Sequence, residues 1–297
     1  MYMSKPASAV PLFLATAYLT ALVLDVAALE LVTPAASSPT GLAVWGITRM
    51  WSVALAVVVA LWAEGRLREL KEIVGLSGRV LLPYFFAPLV VYGALGIYIA
   101  LAAPLGLFQF QAYIDAIANA IRQYPVQDAE ALARIVAYAQ IAGAYIAAVT
   151  INAVVALGEE IGWRGYLFRR LGGEANLRNV VIIGVVWGLW HASAILLLGY
   201  NYYYNRWLGV PLFTAFTTAL TYPLLLFAKN SVLPAASLHG AVNALWPLTV
   251  AASYLPPEAR ELYLGIGALG IAAWALTSLA LYAAYAKIRS AKQNVPT

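Results

Sequence analysis

Eight stretches of about twenty residues pass almost without a charge, and no water-soluble fold can bury so many. They run at about Val10–Val32, Gly41–Ala63, Val80–Pro104, Tyr145–Phe168, Asn179–Leu198, Pro211–Ala228, Ser231–Ala251 and Leu262–Ala286. At about 1.5 Å per residue, each can cross a hydrocarbon core of about 30 Å as a helix. The composition agrees: of 297 residues, 63% are hydrophobic and 10% charged, where soluble domains sit near 45–50% and about 25%. A cytosolic enzyme and a disordered chain are excluded on that ground. A disulfide-stapled secreted domain is excluded because the chain has no cysteine. The expected fold is an all-α integral membrane protein with about eight transmembrane helices, one polytopic domain over residues 1–297. The first run is too long for a signal-peptide core and no small-residue cleavage site follows it.

The segments between the runs carry the topology signal. The Pro/Ser stretch Thr33–Thr40 reads as a tight connection. Gln109–Arg134, the most polar internal stretch, reads as one or two amphipathic helices on the membrane surface. With eight spans and a cytoplasmic N-terminus, the inside segments hold twelve Lys and Arg without counting Arg164, against four outside (Arg122, Arg134, Arg206 and Arg260). The positive-inside rule then places both termini in the cytoplasm of a multi-pass cell-membrane protein. A net charge of +5 invites a nucleic-acid partner, but charges confined to short loops are explained by orientation. The expected partners are membrane lipid and a peptide or lipidated protein substrate.

Ionisable groups inside spans are costly, so each asks for a function. Asp25 and Arg49 fall at nearly one depth on the first two spans and read as a buried structural ion pair. A second group is spread over three later spans: Glu159-Glu160-x-x-x-Arg164, Trp187-x-x-x-His191 and His239-x-x-x-Asn243. Counted from Arg169, Arg178 and Lys229, the positions Glu159, His191 and His239 all lie about 15–20 Å deep at about 1.5 Å per residue. That common layer predicts a shared polar cavity, expected to open to the cytoplasm. Glu160 and Arg164 are i,i+4 and can pair. Glu159 points elsewhere and is free to act as a general base. His191 can hold and polarise a water, and His239 with Asn243 can donate to an oxyanion. Trp163, Trp187, Trp190 and Tyr166 read as packing or interface anchors. The Tyr200–Trp207 cluster reads as an outer-face aromatic belt.

The ordered trio of motifs, over Leu157 to about Trp246, resembles the CAAX-protease and bacteriocin-processing (Abi) family of intramembrane endopeptidases. Trp187 stands where that family commonly has Phe, so an aromatic is kept. The resemblance implies an eight-helix fold with a conical, cytoplasm-facing cavity, the catalytic half lying at about 145–251. It also implies glutamate-protease chemistry, with Glu159 and His191 activating water and His239 and Asn243 stabilising the oxyanion. Glu160 and Arg164 would support the site, and no cofactor is needed. The type II CAAX prenyl protease branch acts on prenylated proteins. A zinc version of the same protease would use Glu159, His191 and His239 as ligands. A proton-coupled transporter could also use intramembrane Glu and His as a relay, and a non-catalytic membrane partner could retain the site without turnover.

Overall fold

The apolar runs become helices because in lipid a helix is the one open-chain structure that satisfies its own backbone. The protein is described by a computed structural model covering residues 9–31 and 39–293; most of the expected connection at Thr33–Thr40 lies outside the described residues. In chain order the helices are α1 Val10–Leu31, α2 Pro39–Ala63, α3 Glu69–Val74, α4 Leu81–Ala102, α5 Phe110–Ile121, α6 Ala129–Ala148 and α7 Ile151–Glu160. A π-helical turn, Ile161–Leu167, carries α7 into α8, Phe168–Arg170. Then follow α9 Leu177–Trp190, α10 Arg206–Phe227, α11 Leu233–Leu245, α12 Leu248–Ala251, α13 Pro257–Tyr263 and α14 Ala268–Gln293. No strand occurs among the described residues.

Seven helical stretches among the described residues are long and apolar enough to cross a membrane: Val10–Leu29, Thr40–Ala63, Glu69–Leu105, Ala129–Ala148, Leu177–Leu198, Arg206–Phe227 and Pro257–Ile288. Six answer expected runs. The seventh, α6, begins inside the stretch expected to lie on the surface. Its polar start misleads, since Arg134 and Glu130 pair on one helix face at 2.7 Å and the remainder is apolar. Only α5 keeps the amphipathic character, turning Ala112, Ile114 and Ala118 inward. Two expected spans fall short. The run at 145–168 is cut at Val149–Thr150, where Thr150 Oγ1 donates to the Ile146 carbonyl at 2.6 Å, so Tyr145–Ala148 end α6 and the motif helix starts afresh. The other, α11, is 13 residues long. Two of the three motif helices, α7 and α11, thus give up length or apolarity to carry polar groups.

Hydrogen bonds between connections define two ends of the bundle. At the lower end the Ala9 amide donates to Glu64 Oε1 at 2.9 Å, Arg170 reaches Glu69 at 3.0 Å and Ser231 donates to the Val74 carbonyl at 2.5 Å. Lys229 donates to Tyr285 there at 2.7 Å. At the upper end the Gln109 amide donates to the Ala252 carbonyl at 2.7 Å. Tyr202 donates to the Ile266 carbonyl at 2.9 Å and the Asn205 amide to Glu261 at 3.0 Å. Helices α1, α4, α9 and α11 run from lower to upper end, while α2, α10 and α14 descend. Helix α6 descends beside α4, with Tyr92 donating to the Ile141 carbonyl at 2.7 Å and Tyr84 to that of Val149 at 2.8 Å.

The core gathers Phe13, Trp163, Tyr166, Trp187, Trp190 and Trp246 between these helices. On the outside, Leu82 is 78% and Val23 66% exposed, as expected where acyl chains supply the covering. Two glycines set the spacing of the motif helices. A Cβ on Gly158 would sit 2.7 Å from the Met50 oxygen, and one on Gly240 would sit 2.8 Å from the Ala153 nitrogen. Both are closer than real Cβ contacts, so α7 packs backbone to backbone on α2 and on α11. This is the small-residue packing of membrane helices, and it fixes Glu159 and His239 on rigid neighbours.

Candidate active site

Glu159, at the end of α7, is 2% exposed and receives the indole N–H of Trp187 on Oε2 at 2.5 Å. Trp187 lies on α9, four residues before His191. Its backbone carbonyl meets His191 Nδ1 at 2.9 Å. A carbonyl only accepts, so Nδ1 carries the proton, and in the neutral ring Nε2 offers its lone pair. On α11, His239 Nδ1 donates to Glu160 Oε1 at 2.8 Å, and the same oxygen receives Arg164 at 3.1 Å. Glu160 and Arg164 are both fully buried. The Arg164 guanidinium carbon stands 3.9 Å from the centre of the Trp187 ring. One indole thus joins the two carboxylate systems, holding Glu159 through its N–H and Arg164 through its face.

Glu159, His191, His239 and Asn243 line one cavity of about 970 Å³. Asn243 is the exposed member of the four. The trio of motifs converges as its common depth predicts, and the i,i+4 pair Glu160–Arg164 forms. The cavity opens at the upper end, its rim built from Leu42 on α2, the 199–203 segment and residues 257–266. Helix α1 starts, and α14 finishes, at the lower end. The expectation that cavity and chain ends share one side is therefore not met. Depth measured from flanking basic residues locates a layer, and a layer can be reached from either face.

Three other expectations change. Asp25 and Arg49 do pair, at 2.9 and 3.2 Å, with Trp45 and Ser193 also donating to Asp25 at 3.1 and 2.6 Å. However, Arg49 also lines the cavity and donates to the Trp190 carbonyl at 2.8 Å, one residue before His191. Its proximity could have been read from depth alone, since it sits in the same membrane layer. Trp187 is more than a packing anchor, as its two polar contacts show. Tyr200 belongs to the cavity wall, its ring parallel to that of His191 within 13° at 6.3 Å, whereas Trp207 at 82% exposure fits the expected belt. Among the described residues no three His, Asp or Glu side chains are arranged to hold a metal ion. Glu159, His191 and His239, the set a zinc version would use, line the cavity without forming such a group.

A model of the type II CAAX prenyl endopeptidase Rce1-like family matches residues 141–245. Over that segment the chain is similar to the CAAX-protease family. No curated protein and no solved structure matches the chain. The matched segment runs from the last turns of α6 to the end of α11 and contains all six motif residues. Arg49, Asp25 and the 257–266 part of the rim lie outside it. That family is one of endopeptidases, and the helices of this chain are those of a multi-pass membrane protein.

Proposed function

We propose that the protein is an intramembrane endopeptidase of the glutamate type. The observation that carries this reading is that Glu159, His191, His239 and Asn243, drawn from three helices, line one cavity. Glu159 takes a proton from a water whose oxygen attacks the scissile carbonyl carbon. His191 Nε2 accepts that water's other hydrogen and orients it. As the carbonyl π electrons move to oxygen, the Asn243 amide donates to the oxyanion. His239 does the same through Nε2 when its ring is protonated, with Glu160 balancing that charge at Nδ1. Collapse breaks the C–N bond, and the proton on Glu159 passes to the leaving amine. Arg164 and Glu160 keep His239 in place and have no contact with substrate in this scheme.

Substrates on this reading are membrane-associated peptides, of which a prenylated CAAX-type tail is one kind. The basic-residue count supports a place in the cell membrane with both termini in the cytoplasm. The test is cleavage of a library of lipidated and membrane-tethered peptides by purified protein in detergent. Wild type should yield product, and Glu159→Gln should yield almost none at an unchanged melting temperature. Asn243→Ala should lower kcat by about 10²–10³. Activity should survive prolonged chelation; loss on chelation and return with stoichiometric zinc would turn the same three side chains into metal ligands. Full activity in Glu159→Gln would refute both versions.

A further inference from the structure

We propose that Arg49 is a subsite for a carboxylate of the substrate, anchoring the deepest part of the bound chain beside His191. The inference rests on the protease reading for calling its guest a substrate. Its geometry comes from α2, outside the segment that the family model matches. Leu42, Trp45, Gly46, Arg49 and Met50 share one face of α2 and line the cavity. Leu42 is at the rim, and Met50 packs against Gly158, the residue before Glu159. Seven residues separate Leu42 from Arg49, which sets Arg49 about 10 Å below the rim at about 1.5 Å per residue. It is 3% exposed, a buried cation on the wall of the cavity.

A guanidinium has five N–H donors, and here three are spent. Nε donates to Asp25 Oδ1 at 2.9 Å, and Nη2 donates to Asp25 Oδ2 at 3.2 Å and to the Trp190 carbonyl at 2.8 Å. The pair on Nη1 has no partner among the described residues. Nη1 is not one of the fully enclosed polar atoms that lack a partner, as Arg164 Nε is, so it meets the open space of the cavity. The Trp190 ring, centred 3.8 Å from the guanidinium carbon, holds the group in place. Asp25 takes further donors from Trp45 and Ser193 at 3.1 and 2.6 Å. Its charge is therefore shared, and the guanidinium keeps attraction for a second anion. Free N–H groups on a fixed, buried guanidinium select an anionic acceptor, and a carboxylate is the one a peptide carries. Its source is an acidic side chain or the chain terminus. The mouth is at the upper end, and no lower-end connection lines the cavity. A mid-chain segment must double back through that mouth, whereas a chain end need not. The C-terminal carboxylate is the favoured source.

Binding can be read without turnover on the Glu159→Gln protein in detergent, by fluorescence anisotropy of short, apolar, dye-labelled peptides. One peptide ends in a free carboxylate and its twin in a carboxamide. A second pair, both amidated, carries Glu or Gln at one internal position. The expected result is tighter binding of the free carboxylate, by about tenfold or more, the weight of a hydrogen bond to a charged group. Adding Asp25→Asn together with Arg49→Gln strands no charge, and the resulting protein should bind the twins alike at a melting temperature near its parent's. Preference for Glu over Gln in the second pair, lost in the same variant, would assign the subsite to an acidic side chain. Equal binding within both pairs, no binding of any peptide, or a preference that survives the double substitution overturns the proposal. Because binding needs no turnover, each result leaves the peptide-cleavage assay to judge the protease reading separately.

Discussion

At the scale of single residues, Trp187 is the side chain on which the site turns. Its N–H holds Glu159 at 2.5 Å, its carbonyl fixes the His191 tautomer at 2.9 Å, and its ring carries Arg164 at 3.9 Å. The family commonly has Phe here, which keeps two of those three contacts. Trp187→Phe should therefore cost only the hydrogen bond to a carboxylate, about 1.5–3 kcal/mol of stability, together with a loss of kcat as Glu159 loses its anchor. Trp187→Ala should also remove a desolvated cation–π contact of about 2 kcal/mol and leave Arg164 over a void. Its melting temperature should fall well below that of Trp187→Phe. Equal melting temperatures for the two variants would show that the ring does not support Arg164.

At the scale of elements, the sequence exposes whatever violates its own pattern. Glu159, Glu160, Arg164, His191 and His239 were legible because charge and imidazole do not belong in apolar runs. The interruption at Val149–Thr150 was hidden: neither residue is a turn former, and the helix that resumes at Ile151 looks continuous with α6. Arg49 was masked by its partner, because Asp25 at matching depth already accounted for it. That pair makes a prediction about α1 and α2. Removing either charge strands the other, at a cost of about 3–5 kcal/mol for a buried pair. Replacing both by apolar residues of similar size should recover most of the lost stability, as read by thermal melts in detergent. If single and double variants instead lost activity equally with stability intact, the pair would belong to the mechanism through the Arg49 contact beside His191.

For the whole molecule, the lower end is tied by Glu64, which receives the Ala9 amide, Tyr166 and Arg170. Burial pushes its carboxyl upward, but the hydrogen bonds from Arg170, Ala9 and Tyr166 outweigh burial and hold it below 4.5. A carboxyl lowered on folding stabilises fully above its unfolded value, and that contribution fades as pH falls through the folded value. Wild type should thus lose melting temperature on acidification below about 4.5. Glu64→Gln should start lower at neutral pH and fall less over the same interval. An identical acid loss in both proteins would assign the sensitivity elsewhere. The direction in which the cavity opens belongs to this scale too. It was illegible in the sequence because it depends on which connections close over the floor, and hydropathy does not report that.

The volume of the cavity has a consequence for what the enzyme can discriminate. About 970 Å³ lies near the top of the range that encloses a drug-sized molecule, roughly 300–1,000 Å³, which suits a few residues of chain and no folded domain. Glu159 and His239 on its wall each follow or precede a glycine, Gly158 and Gly240, at which the helices meet backbone to backbone. On the protease reading, a polypeptide would enter such a volume as a locally unwound segment. Conformation at the cut point then acts as a criterion of selection alongside sequence, and two chains with the same residues there would differ in lifetime according to how tightly each is folded.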